Sequence, residues 1–307
     1  MRLPDKFINT IKGVHQDAGE QWLANFDELI WYCEWKWSLK VMEPFPLSFN
    51  FAAPVILQDG RQAVLKLCVP GKEFITEKEA LIAYRGSGIA ELMDYDSDRG
   101  IMLLERLNPG ETLKTIHNDE EATRIAAGVM KKLHKPASTS HFGVFPTIQQ
   151  WSQGLLNLRQ RFDGGTGPLP ERLVRKAELY FPELISTMKD PHLLHGDLHH
   201  ENILSAEREP WLAIDPKGLI GEREYEVISF LLNNLPDSDK SRITERRVDI
   251  FANELQLRKD RILSWAFCHS ILSAWWCVED NAGSADSSLE MAMIFDNLRS
   301  RSVTTNG

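Results

Sequence analysis

Apolar residues recur at helical spacing through the first forty-three positions: Phe7, Ile8 and Ile11, then Trp22, Leu23, Phe26, Leu29 and Ile30. Pro44 and Pro46 break that pattern, and the residues after them read as strands. Ala53 to Gln58 and Gln62 to Val69 flank Asp59-Gly60, the dipeptide that best signals a tight hairpin turn. Lys72 to Arg85 returns to helical spacing and stops at Gly86 and Gly88. Ile101 to Leu107 is a short apolar strand that runs into the turn Asn108-Pro109-Gly110, a natural boundary. The expected division is 1–106, helices plus an antiparallel sheet, and 107–307, mostly helical. In the second part Glu120 to His134, the stretch after Trp151 and Glu171 to Met188 read as helices, with the loop DGGTGPLP (163–170) before the last. A small strand pair, 203–205 and 211–214, interrupts them, and helices resume at Tyr225.

Composition narrows the partners. The 307 residues carry 43% apolar and 26% charged side chains, enough for a sizeable core in a soluble protein. A net charge of −9 lacks the basic footprint that nucleic acid requires and suits a cationic partner. Cys33, Cys68, Cys268 and Cys277 form no CxxC pair and read as buried thiols in a reducing compartment. The opening residues MRLPDKFINT lack the apolar run of a signal peptide. Ile262 to Val278, the most apolar stretch, is shorter than the ~20 residues of a membrane span and reads as a buried helix. A cytoplasmic location is expected, as a monomer or homodimer.

The densest chemistry lies in HLLHGDLHHENIL (192–204) and WLAIDPKG (211–218). Leucines and isoleucine at 193, 194, 198, 203 and 204 are anchors, so the polar groups between them must be held still. A hairpin centred near Arg208 would bring Asn202 and Asp215 to its open end, an amide oxygen beside a carboxylate, the hard-oxygen environment that Mg²⁺ prefers. Asp197, five residues before Asn202, is placed to accept a proton without being a ligand. An aspartate, an asparagine and a second aspartate in this order suit phosphoryl transfer from a nucleotide, with HGD standing for HRD and DPK for DFG.

Upstream, Lys66 of QAVLKL is placed to meet α- and β-phosphates, held by a glutamate on the following helix. Helical periodicity leaves both Glu77 and Glu79 open as that partner. The carbonyl of Glu105 and the N–H of Leu107 are candidate adenine contacts. No G-x-G-x-x-G or Walker loop is present; PLSFNFA (46–52) is its candidate substitute, with Ser48, Asn50 or nearby backbone N–H groups facing phosphate. The helix ILSAWWCVED could offer Trp275, Trp276, Glu279 and Asp280 to a cationic ligand. Few residues separate Asp215 from Tyr225, and no A-P-E segment is present to dock a peptide, so a small acceptor is expected.

At HGDLHHENIL, AIDPKG, AVLKL, IMLLERLNPG, EKEALIAYRGSGIAELMDYD and LIGEREYEVISFLLNN the chain resembles the aminoglycoside phosphotransferase group of kinase-like enzymes. It is most similar to the streptomycin 6-kinase (aminoglycoside/hydroxyurea resistance kinase) branch, over roughly residues 40–300. The resemblance implies an α+β, two-lobed protein-kinase-like fold. The N-lobe would be small and β-rich with added N-terminal helices, the C-lobe larger and mostly helical. It also implies ATP, Mg²⁺ and transfer to a hydroxyl of a small, cationic molecule such as streptomycin. By that likeness Asp197 is the base, Asn202 and Asp215 hold metal, Lys66 anchors phosphate, and Glu79 is its partner. Glu226 would brace the catalytic loop. Two alternatives remain open: a kinase of a cellular metabolite, and an inactive nucleotide-binding module.

Overall fold

The computed structural model describes residues 2–281 and 283–304, the last three of them in backbone alone. The chain folds into two compact units. The first takes the chain up to Glu111 together with Leu204–Ile214; the second takes Thr112–Ile203 and the chain from Asp215 onward.

The first unit begins with α1 (Asp5–Ala24) and α2 (Phe26–Trp37) and continues with β1 (Leu39–Val41), β2 (Phe51–Leu57), β3 (Gln62–Leu67), α3 (Lys72–Tyr84), β4 (Leu92–Asp96), β5 (Ile101–Glu105) and β6 (Pro109–Thr112). Five strands form one sheet in the order β1-β2-β3-β5-β4. Asp59-Gly60 makes the expected hairpin between β2 and β3: Gly60 has φ +84° and its N–H donates to the Leu57 carbonyl. The hairpin pairs Phe51 with Leu67 and Ala52 with Lys66. Along β2, Phe51, Ala53 and Val55 are fully buried, as the two-residue period of a half-covered strand requires. They meet Phe7, Ile11, Trp22, Phe26 and Cys33 of the N-terminal helices in one core, with Phe26 and Phe51 rings 5.0 Å apart. Helices α1 and α2 thus brace the sheet.

Two strands depart from the expected pattern. The helical reading of residues 1–43 ends at Trp37, and Leu39–Val41 instead pairs with Leu57, Ile56 and Val55 as an edge strand. LMDYD (92–96) is β4, the other edge. It is mostly solvent-facing and carries carboxylates, which blunts the edge and hides it from an alternation pattern. Those carboxylates also tie down α2: Tyr32 Oη donates to Asp96 and Trp37 Nε1 to Asp94, each at 2.7 Å.

The second unit holds α4 (Asp119–Leu133), β7 (Lys135–Pro136), α5 (Ile148–Ser152), α6 (Gly154–Arg161), α7 (Glu171–Ser186) and β8 (His192–Leu194). The chain then makes β9 (Ile203–Ala206) and β10 (Trp211–Ala213), which join β6 in a three-stranded sheet. It returns with β11 (Leu219–Gly221), α8 (Arg223–Glu226), α9 (Ile228–Leu232), α10 (Lys240–Leu255), α11 (Lys259–Glu279) and α12 (Asp286–Thr304). The apolar stretch 262–278 is the interior of α11, which buries residues on all sides, Trp265, Phe267 and Ile271 among them. Among the described residues no helix is long and apolar enough to cross a membrane.

Residues 204–214, expected with the helical part beyond 106, group with the first unit instead. The reason is Arg208 at the tip of the β9–β10 hairpin. Its guanidinium donates to both carboxylate oxygens of Glu105, at 3.0 and 2.8 Å, and to the carbonyls of Gly86 and Ile89 at 2.8 and 2.9 Å. That bidentate pairing is geometrically specific and anchors the hairpin.

Candidate active site

In the first unit Lys66 and Glu77 form a buried ion pair, Nζ donating to Oε1 at 2.6 Å, with the residues 5% and 8% exposed. Glu79, the partner implied by resemblance, points elsewhere and pairs with Lys78 at 2.8 Å. The correction follows from helix geometry. Phe74, Leu81 and Tyr84 face the core, and the position completing their stripe at i+3 and i−4 is 77. Residue 79 sits roughly a third exposed beside it.

Ser48 is exposed and Asn50 half-buried, both in the bend that leads into β2. Glu105 ends β5. Its backbone N–H donates to the Glu91 carbonyl, and its carboxylate is taken by Arg208 and the Glu91 N–H. Leu107 is buried with Ala90 and Leu212.

In the second unit β8 and β11 run antiparallel, Leu194 opposite Leu219. The loop leaving β8 and the loop entering β11 therefore lie side by side. Lys217 and Gly218 N–H groups both donate to the His195 carbonyl, at 2.9 and 3.1 Å. From beneath, Glu226 accepts the N–H of His195 at 2.7 Å and of Gly196 at 3.2 Å. Burial pushes its carboxyl up to about 7 despite those two donors. Gly196 has φ +82°, a conformation only glycine adopts cheaply.

Asn202 Nδ2 donates to the Asp197 carbonyl at 2.9 Å, fixing the five-residue span between them. Leu193, Leu194, Leu198 and Ile203, all fully buried, pin the loop from below. The Asp197 carboxylate faces Lys217 Nζ at 3.1 Å and His199 Nε2 at 4.0 Å. Burial alone would raise this carboxyl, but the Lys217 charge and then His199 outweigh it, and the group lies below the usual carboxylate range. Asp215 is exposed, in the left-handed region at φ +58°.

An amide oxygen and a carboxylate are the donor types that a hard divalent cation takes. The amide nitrogen of Asn202 is committed to a carbonyl, which turns its oxygen into the available face, and Asp215 adds a carboxylate.

Trp276 is half-buried on α11, its ring edge-on to Trp151 at 5.5 Å and 5.8 Å from His269. Tyr225 Oη lies 2.7 Å from His269 Nδ1. His269 lies close enough to Lys217 and Asp197 to feel both charges, so this aromatic wall adjoins the Asp197–Lys217 ion pair. Trp151, Tyr225 and His269 escape sequence reading because three separate segments supply them. Trp275 is buried core; Glu279 ends α11 with its carbonyl accepting from Arg161, and Asp280 is exposed just beyond.

Two solved structures share this architecture. A choline/ethanolamine kinase family protein from Mesorhizobium loti superposes with a TM-score of 0.62 at 14% identity, over 89% of this chain and 94% of its own. An aminoglycoside phosphotransferase solved with AMP-PNP and hygromycin B gives 0.61 at 14%, over 89% and 97%. The fold is thus the α+β kinase-like one, a small sheet unit with added helices and a larger helical unit.

Sequence carries the assignment further. The model of the aminoglycoside/hydroxyurea antibiotic resistance kinase family matches residues 43–281. A streptomycin 6-kinase from Streptomyces griseus is 30% identical over 286 residues, 91% of this chain and 92% of the relative. A hydroxyurea phosphotransferase from Kitasatospora aureofaciens is 31% identical over 259 residues, 80% and 71% respectively. The chain belongs to the aminoglycoside/hydroxyurea antibiotic resistance kinase family and is a small-molecule kinase.

Proposed function

We propose that this kinase transfers the γ-phosphoryl group of ATP to a hydroxyl of an aminoglycoside such as streptomycin, with Mg²⁺. The observation that carries the chemistry is the held Asp197 carboxylate, with Asn202 anchored to its backbone and the Asp215 loop fastened alongside. The substrate reading is supported by likeness to streptomycin 6-kinases along nearly the whole chain.

In the step proposed, the acceptor oxygen attacks the γ-phosphorus as the bond to the bridging β–γ oxygen breaks and ADP leaves. The acceptor proton goes to the Asp197 carboxylate, which is ionised at neutral pH. Asn202 and Asp215 would hold Mg²⁺, which when bound neutralises phosphate charge. Lys66, aimed by Glu77, anchors the α- and β-phosphates. Ser48, Asn50 and neighbouring N–H groups cover phosphate, and the Glu105 carbonyl and Leu107 N–H meet adenine. Trp276, with Trp151 beside it, offers an aromatic face to a cationic acceptor, and Glu279 and Asp280 add negative charge at the end of the same helix. The working form is a cytoplasmic monomer or homodimer.

A coupled ADP-release assay tests this against streptomycin, other aminoglycosides, hydroxyurea and small polyols. Acceptor-dependent turnover is expected with streptomycin. Asp197→Ala should lower kcat by ~10²–10⁴-fold with the KM for ATP nearly unchanged. Full turnover in that variant would remove Asp197 as the base. Turnover with a polyol or hydroxyurea but no aminoglycoside would replace the substrate.

A further inference from the structure

Lys217 stands out in the second unit because the backbone is shaped to deliver it. Asp215 at φ +58° and Gly218 at φ +70° bracket Pro216-Lys217, two left-handed positions within four residues. The Lys217 N–H is bonded to the His195 carbonyl. Its side chain crosses above Gly196, where an added Cβ would stand 3.6 Å from the Lys217 Cβ and 3.2 Å from that of Leu219. Its ammonium then reaches Asp197 Oδ2 at 3.1 Å.

Such a contact adds little to stability. The Lys217 side chain is 60% exposed, and exposed pairs contribute ~0–1 kcal/mol. Holding the non-glycine Asp215 in the left-handed region for so small a return points to another use. Asp197 Oδ2 is held by Lys217, while Oδ1 has the longer 4.0 Å approach of His199 Nε2. The two oxygens are therefore inequivalent. His195, Glu226 and His269 are the other titratable groups around this carboxylate: Glu226 is spent on the loop N–H groups below it and His269 on the Tyr225 hydroxyl.

We infer that Lys217 is a positioning residue for phosphoryl transfer: it ties one oxygen of Asp197 so that the other faces the acceptor hydroxyl. The inference rests on the function proposed above.

The test is steady-state kinetics on full-length wild type, K217M, K217Q and K217R, with ATP and the acceptor found active. K217M and K217Q should lose ~10–100-fold in kcat, the scale of a misplaced catalytic group, with the KM for ATP changed less than about threefold. K217R, which keeps a cation able to reach a carboxylate, should recover most of that loss. K217Q serves should the methionine variant not fold. Wild-type kcat in both neutral variants, or no recovery by arginine, overturns the inference. So does a raised KM for ATP at unchanged kcat, which would make Lys217 a nucleotide ligand. Wild-type enzyme that phosphorylates no acceptor overturns the proposed function and this inference with it, a result distinct from the others.

Discussion

Removing Glu77 should damage the first unit far more than removing Glu79, although both stand on α3 within reach of a strand lysine by helical spacing. Glu77 and Lys66 are 8% and 5% exposed and meet at 2.6 Å. Glu77→Ala leaves a buried ammonium short of its carboxylate, and breaking such a pair on one side costs about 3–5 kcal/mol. Proton loss from the lysine and its remaining contacts limit the figure, so about 3 kcal/mol is expected. For a protein of this size that corresponds to a fall of ~6–12 °C in melting temperature. Glu79 is about a third exposed and pairs with Lys78, so Glu79→Ala should cost ~0–1 kcal/mol. The same variants should divide in function. A lysine no longer aimed loses a charge-assisted bond to phosphate worth ~1.5–3 kcal/mol, raising the KM for ATP roughly tenfold or more in Glu77→Ala only. Urea unfolding followed by tryptophan fluorescence, together with ATP titration, reads both effects. A Glu79→Ala variant as unstable and as weak for ATP as Glu77→Ala would refute the reasoning.

Glu226→Ala should orphan the N–H groups of His195 and Gly196 at ~1–3 kcal/mol each, and kcat should drop with the KM for ATP preserved. Equal kcat would mean the loop holds its shape without the carboxylate. Burial, with Arg223 and His192, holds His134 down to about 3; burial, then Lys217, holds His269 down to about 4. Both are neutral in the fold while the unfolded groups titrate near 6.5. Their stabilisation is complete above that value and is lost as pH falls below it, about 2 kcal/mol each by pH ~5. Glu226, raised from 4.5 to about 7, acts oppositely: its contribution is full below 4.5 and lost as pH rises through 7. The urea midpoint should fall from neutral pH to ~5, less steeply in His134→Leu; parallel slopes would remove His134 as a source.

Much of this was legible because a few residues carry their geometry locally. Asp59-Gly60 announces its hairpin, and HLLHGDLHHENIL announces a pinned loop, since its apolar residues recur around short, directional polar groups. What stayed hidden depends on partners distant in sequence. Arg208 looks like a turn residue in AEREP until Glu105, 103 positions away, is beside it. Trp151 joins Tyr225, His269 and Trp276 only through packing of α5, α8 and α11. Glu77 could not be told from Glu79 by periodicity, because Ile75 and Ile82 form a second apolar stripe that points to 79; only the burial of Phe74, Leu81 and Tyr84 selects 77.

The proposed activity turns on transfer of a phosphoryl group to an aminoglycoside hydroxyl. The decisive experiment incubates the protein with γ-³²P-labelled ATP, Mg²⁺ and streptomycin and follows where the label goes. Label on the drug in wild type, and its near absence in Asp197→Ala, is the expected result. Label that remains on ATP, or appears only as inorganic phosphate at the same rate with and without the drug, would contradict it.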